Sequence, residues 1–384
     1  MSVTNIIILT ESPFSKRDFD RFGVALLRNS FQVSILDCTP WLKPKIWTKY
    51  SELAFRCSGY LPISNRDALI KGIDSSAETL VIDYLGNCRD SRRVRIHLKK
   101  KNIRRVIVHN GLLPTPSVNR YRKIGRIISQ NTAVAILKKL YGRFEQSFSQ
   151  APMPEIALLS GIAGLNDKRL HGLKSKIWAH SFDFDIYLAN EKHAGSTVEP
   201  YAVFLDEDMI YHSDFDHLEI KSPATEITYY ASMNGFFEKL ERKLGMPVMI
   251  AAHPRSRYDL RPQLWNGRRT ITAKTAELVR DAKLVLCHQS TAVSFAVMWR
   301  KPILFLTTNE LKSSYLQPGI EVGSALLVAP SINVDKNEEL LATNLLYSVD
   351  GAAYEKYAEE YIKRPGTPNL PAWQIFAEYV QREC

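Results

Sequence analysis

The pair His253-Pro254 closes the apolar run Pro247-Val248-Met249-Ile250-Ala251-Ala252, and Ser290-Thr291 follows a second run, Ala282-Lys283-Leu284-Val285-Leu286-Cys287, through the turn His288-Gln289. Imidazole and hydroxyl side chains can hydrogen-bond phosphate oxygens, and open α/β sheets bind their ligands at the carboxyl ends of the strands. Pro254 lacks an N–H and biases His253 toward an extended backbone, so the ring is expected to project from the strand end rather than enter a helix. Ser290 opens the helical pattern Ala292, Phe295, Ala296, Trp299, which stops at Lys301-Pro302. Ser290 and Thr291 are therefore expected at a helix N-terminus, where backbone N–H groups attract an anion; a simple helix cap explains Ser290 equally well. A third apolar run, Tyr201-Ala202-Val203-Phe204-Leu205, ends in Asp206-Glu207-Asp208 and leads to Tyr211-His212-Ser213-Asp214. As a strand it would bring the Asp206 carboxylate, with Glu207 beside it, to the edge that carries His253. The alternative is a solvated acidic turn.

The elements that must position these groups follow from periodicity. A strand over 5–10, a helix over 16–28 and a strand over 31–36 form one βαβ unit, and a strand over 79–84, a basic helix to about 101 and a strand over 103–108 form another. A long helical region is expected over 119–148, broken at Pro152-Met153-Pro154 before a strand over 155–159, whose exit Ser160-Gly161 reads as a site loop. The stretch His180-Ser181-Phe182-Asp183-Phe184-Asp185 alternates polar and aromatic residues, which fits a half-solvated strand or a second site cluster holding Asp183 and Asp185. The second half alternates helix and strand to about 306, and Pro365-Gly366-Thr367-Pro368 separates helical pieces over 353–363 and 372–382. Such alternation argues for parallel sheets covered by helices.

The chain has 384 residues, enough for two cores, and 45% of them are hydrophobic. The 5 cysteines show no paired spacing, which suggests neither a disulfide framework nor a zinc site and fits a reducing, cytoplasmic compartment. No export signal and no stretch long enough to span a membrane is read. The net charge of +11 is concentrated at Arg89, Arg92, Arg93, Arg95, Lys99, Lys100, Lys101, Arg104 and Arg105, and again over 120–143. Such clusters suit an anionic membrane surface or a phosphate-bearing acceptor, or are solvated helix faces. No nucleic-acid-binding signature accompanies them.

The His-Pro and Ser-Thr pairs resemble the CMP-binding motifs of bacterial GT-B glycosyltransferases that use CMP-activated 2-keto sugars, the sialyltransferases and Kdo transferases. The likeness is good over residues 200–310 and one of topology before them. It implies an α/β protein with two Rossmann-like domains facing a central cleft: an acceptor domain over 1–200, a nucleotide-sugar domain over 201–350, and helices over 351–384 that cross back to the first. His253 would contact the donor phosphate, with Pro254, Arg255, His288, Ser290 and Thr291 around it. Neither a metal nor another cofactor is expected, because side chains and a helix dipole offset the leaving-group charge and no Asp-x-Asp is read as a cation site. Arg255 and Arg257 would reach the donor's carboxylate, or are exposed loop charges.

Phe204-Leu205-Asp206 with the downstream His212-Ser213-Asp214 is similar to an element of the retaining β-Kdo transferases of capsule and lipopolysaccharide synthesis, which implies Asp206 as the nucleophile that takes the sugar from CMP. Inverting relatives carry an acidic-acidic-Gly element after an N-terminal strand; here that place reads His109-Asn110-Gly111. Asn110 cannot act as a base, whereas His109 can. The resulting expectation is a CMP-sugar-dependent transferase acting on a glycan acceptor, lipid-linked and presented at the inner membrane face. A GT-B transferase with a UDP- or CDP-linked donor and a non-catalytic polysaccharide-assembly protein are the alternatives.

Overall fold

The computed structural model describes residues 3–73, 78–114, 151–167, 170, 172, 173, 175–191, 199–218, 220–336 and 346–383. The expected helix over 119–148 and the basic stretch over 120–143 lie outside them. The chain divides into two compact units, one within Met1–Asn110, Ala133–Phe182 and Lys363–Cys384, the other within Gly111–Thr132 and Asp183–Ile362.

The first unit is built on a sheet of β1 (Asn5–Thr10), β2 (Gln32–Asp37), β3 (Tyr60–Pro62), β4 (Thr79–Asp83), β5 (Arg104–His109), β6 (Ile156–Leu159) and β7 (Ser175–Trp178), in the order β3-β2-β1-β4-β5-β6-β7. The second has β8 (Ala202–Leu205), β9 (Val248–Ala252), β10 (Thr270–Thr272), β11 (Leu284–Cys287), β12 (Ile303–Thr307) and β13 (Ser331–Asn333), in the order β10-β9-β8-β11-β12-β13. Every pairing between these strands is parallel. Each unit begins at a central strand, runs outward, then returns to the other side, which is the doubly wound arrangement. Its switch points fall between β1 and β4 and between β8 and β11. β4, β6, β8, β11 and β12 are buried along their whole length, as parallel strands covered on both faces must be.

The first unit's larger core joins Ile6, Ile8, Leu27, Ile35, Leu80 and Val106 to Trp373, Phe376 and Val380 of the C-terminal helix Ala372–Glu383. That helix determines the shape of a distant segment. The expected helix over 16–28 is two short helices, Lys16–Arg21 and Val24–Leu27, parted by Gly23 in the left-handed region at φ +56°. A Cβ at Gly23 would lie 2.4 Å from the Trp373 ring, and Trp373 Nε1 donates to the Arg21 carbonyl at 2.7 Å. Close approach and positive φ together demand glycine there.

Two further differences from the sequence reading have local causes. Residues 180–185 do not form a strand: His180 is buried, with Nε2 2.6 Å from the Leu370 carbonyl, and the helix Phe182–Glu191 starts two residues on, with Asp183 and Asp185 in its first turn. Carboxylates there are favoured by the helix dipole, which outweighs the alternating pattern. The basic cluster is also not wholly a surface. Arg95 and Arg105 are buried and both pair with Asp83, at 2.8 and 2.7 Å, closing a network inside the first unit.

Trp373→Ala removes a large buried aromatic side chain and its hydrogen bond, so unfolding free energy from urea titration is expected to fall by about 3–5 kcal/mol. A loss under about 1 kcal/mol would show that the C-terminal helix is peripheral to the core.

Candidate functional site

In the second sheet β8 lies between β9 and β11, and its last residue hands the chain to two adjacent carboxylates that diverge. Asp206 turns toward β9: one oxygen accepts from the His253 backbone N–H at 3.3 Å and from the Tyr258 hydroxyl at 2.9 Å, and the other accepts from the Asp208 N–H at 3.1 Å. Glu207 turns toward β11 and accepts from the Gln289 N–H at 2.7 Å. The loops that carry His253 and Ser290 are thus both tied to the end of one central strand, beside the switch point.

Burial pushes the Asp206 carboxyl up to about 7, with the neighbouring Asp208 charge adding to the rise and the Tyr258 hydrogen bond opposing it. Burial likewise takes Glu207 to about 7 and Asp208 to about 6. Asp208 adopts φ +49°, a conformation uncommon outside glycine but one that Asp tolerates. Asp206 and Asp208 do have the Asp-x-Asp spacing, yet Asp206 is spent on His253 and Tyr258. Among the described residues no three His, Cys, Asp or Glu side chains converge as metal ligands.

This geometry changes the reading of Asp206. The strand does deliver it to the sheet edge, but the residue is only 5% accessible and both its oxygens accept hydrogen bonds. In this arrangement it holds the His253 loop in place. Tyr258 and the His253 amide share one oxygen, while the other, among the described residues, accepts the Asp208 N–H alone.

The other expected residues separate into groups. His253 remains partly accessible, and Pro254 is exposed behind it. Arg255 reaches back across the loop, its Nη1 3.3 Å from Ser213 Oγ and 3.4 Å from Asp214. Arg257 is paired with Asp259 at 3.0 Å on the exposed surface, which is the loop-charge alternative. His288 is not at the surface: it is 0% accessible, its Nδ1 donates to the Leu306 carbonyl at 2.7 Å, and its Nε2 accepts from the Tyr229 hydroxyl at 2.9 Å. Burial lowers it to about 4, so it is a neutral core histidine and not a donor ligand. Ser290 and Thr291 are accessible, but the helix begins later than expected, at Val293–Met298 with Ala292 as its cap. Ser290 Oγ accepts from the Ala292 N–H at 3.3 Å, capping a turn ahead of the helix.

Asn110, Ser160 and Gly161 belong to the first unit, at the carboxyl ends of β5 and β6. Ser160 is buried, and its hydroxyl lies 3.4 Å from the His109 carbonyl. Asn110 Nδ2 is buried without a hydrogen-bond partner among the described residues, and Gly111 follows at φ +88°. His109 Nε2 pairs with Asp167 at 3.1 Å. Sequence reasoning missed Asp167, which lies 58 residues further along the chain in a loop without a motif. It also gave no role to Tyr258, the hydroxyl that reaches Asp206, or to His212, whose Nε2 lies 3.3 Å from that of His253. The His-x-Asp spacing was the available signal for His212.

The raised carboxyls fix the sign of a pH effect. A folded-state pKa above the unfolded value means that the folded chain holds more protons, so this stabilisation is complete below about 4 and is lost as pH rises through about 7. Asp206→Asn removes one such group. The decline in unfolding free energy between pH 5 and pH 8 should then be shallower than in the wild type, by on the order of 2 kcal/mol. Parallel pH curves for the two proteins would show that Asp206 titrates normally.

No protein-family model matches the chain, and no curated protein matches it. Solved structures do resemble it. A variant of the wall teichoic acid polymerase TagF soaked with CDPG aligns with a TM-score of 0.51 at 8% identity, over 98% of this chain and 88% of that one. S. aureus MnaA with UDP aligns with a TM-score of 0.48 at 10% identity, over 97% of this chain and 95% of that one. Acinetobacter baumannii MurG aligns with a TM-score of 0.47 at 9% identity, over 98% of this chain and 99% of that one. At these identities the likeness concerns the fold alone: the chain has an α/β fold of the GT-B type, built on two parallel, doubly wound sheets.

Proposed function

We propose that the protein is a glycosyltransferase whose second unit binds the nucleotide of an activated sugar, a CMP-linked 2-keto sugar such as Kdo or a related nonulosonic acid. One observation carries this reading: Asp206 and Glu207 fasten the His253 loop and the Gln289-Ser290 loop to the same strand end, beside the switch point where doubly wound sheets receive ligands. His253 and the Ser290-Thr291 turn would hold the phosphate, and Arg255 would supply positive charge beside it. In transfer, an acceptor oxygen forms a bond to the anomeric carbon while the bond from that carbon to the phosphate breaks, and its electron pair leaves with the nucleotide. The acceptor's proton passes to a base. Charge developing on the departing phosphate would be met by His253 and Arg255.

The acceptor in this proposal is a phosphate-bearing, lipid-linked glycan. Arg89, Arg93, Lys99, Lys100 and Lys101 are exposed on or beside the helix Arg89–Lys100 and give an anionic acceptor or membrane surface a cationic face to approach. Among the described residues no helix is long and apolar enough to cross a membrane.

Calorimetry with CMP, UDP, CDP and ADP tests the donor class. CMP should bind, and His253→Ala should weaken it by about 1–3 kcal/mol, the loss expected for a hydrogen bond to a charged group. Tighter binding of UDP or CDP would replace the CMP donor with the alternative one, and binding of none would remove the nucleotide reading.

Asp206→Asn separates its two roles. An anchor lost from the His253 loop reduces nucleotide affinity along with turnover, and that is the outcome expected from the hydrogen bonds it makes. Turnover abolished with CMP affinity unchanged, together with one sugar's mass added to the wild type on incubation with donor alone, would restore Asp206 as nucleophile.

A further inference from the structure

His212, on the loop after β8, and His253, on the loop after β9, bring their rings together with Nε2 atoms 3.3 Å apart and ring centroids 4.5 Å apart. Their far nitrogens decide what this contact is. His212 Nδ1 accepts from the Asp214 N–H at 3.1 Å, and His253 Nδ1 accepts from the Arg255 N–H at 3.2 Å. A nitrogen that accepts an N–H carries no proton, so each neutral ring holds its proton on Nε2. Two N–H groups then point into one small volume, and neither can accept from the other.

Two chemistries could use such a pair. A metal ion would need both Nε2 lone pairs, which would move each proton to Nδ1 and set it against a backbone N–H; ligating histidines instead donate from the far nitrogen. An anionic oxygen needs both Nε2 protons and leaves both backbone hydrogen bonds intact. The backbone contacts select the second. The Arg255 guanidinium, on the same loop as His253, is paired with Asp214 at 3.4 Å, and Asp214 lies 3.6 Å from His212 Nδ1, the nitrogen away from the shared contact.

We propose that His212 and His253 form a two-imidazole seat for one anionic oxygen, which, resting on the function proposed above, is a phosphate oxygen of the nucleotide sugar. His212 thereby becomes a second donor to the phosphate. It reaches the same oxygen from a different strand end, so the ligand closes the β8 and β9 loops around itself.

Ring-15N histidine spectra, assigned with His212→Gln and His253→Gln, test the seat on the wild-type protein. Both rings should be the Nε2–H tautomer, and inorganic phosphate, then CMP, should move both Nε2 signals together. A proton on Nδ1 of either ring, a response confined to His253, or a zinc titration that moves both signals and excludes phosphate would overturn the proposal. Calorimetry supplies a second readout: His212→Leu should lose about tenfold in CMP affinity, the equivalent of one charge-assisted hydrogen bond, while His212→Gln, which keeps an N–H at similar reach, should retain most of it. Equal affinity in wild type and His212→Leu would sink the seat while leaving the nucleotide reading intact. Phosphate moving both rings with no nucleotide binding would do the reverse.

Discussion

The second unit depends on what happens at the end of β8. A central parallel strand is flanked on both sides, so consecutive residues leaving it can be sent to opposite neighbours. Asp206 goes to the loop after β9 and Glu207 to the loop after β11. Each accepts backbone N–H groups that loops of this kind would otherwise leave to water, and each does so from a buried position where an unmet carboxylate would be costly. The carboxyls are held near neutrality by burial, and the loops are held by the carboxyls. Removing either side of that exchange leaves the other in an unfavourable state.

The same arrangement explains why the accessible groups are the ones they are. With Asp206 and Glu207 occupied as ties, and His288 absorbed into the core between Tyr229 and the Leu306 carbonyl, what remains exposed at this edge is His212, His253, Arg255, Ser290 and Thr291. These groups can all donate hydrogen bonds, and beside them stands one exposed acid, Asp214, 3.4 Å from Arg255.

Much of this was legible in the chain. Strand positions were readable because fully buried parallel strands are short apolar runs bounded by turn residues, and 202–205, 248–252 and 284–287 are all of that kind. His253 and Asp206 could be placed at one edge because both immediately follow such runs. The direction of a side chain at a strand end was not legible. His288 and Ser290 share a turn, yet one points into the core and the other does not, because a buried Tyr229 contributed from the helix Glu226–Leu244 offers His288 a partner. Long-range closures were equally hidden: Gly23 reads as one residue within a helical pattern until Trp373 is packed against it.

The two sheets offer an internal comparison of what a buried carboxylate can be made to do. In the first unit Asp83 ends the central strand β4, and Arg95 and Arg105 both bind it, with further hydrogen bonds from these arginines to the Leu85 and Pro152 carbonyls. Its charge is more than balanced, and burial instead lowers the affinity of Arg105 for its proton. Such a node is fixed, and breaking it leaves an uncompensated ion in the interior. Asp206 directly follows β8, which borders the switch point of the second sheet from the other side and whose counterpart is β1, and it receives only neutral donors, a tyrosine hydroxyl and two amides. Neutral donors lower the cost of the charge without cancelling it, so burial prevails and the group titrates near neutrality. Both carboxylates stand at the end of a strand that borders the switch point of its sheet, and the difference lies in the chemistry of the partner. Full ionic compensation holds Asp83 as an ion between two arginines, whereas partial compensation leaves Asp206 to exchange its proton near neutral pH.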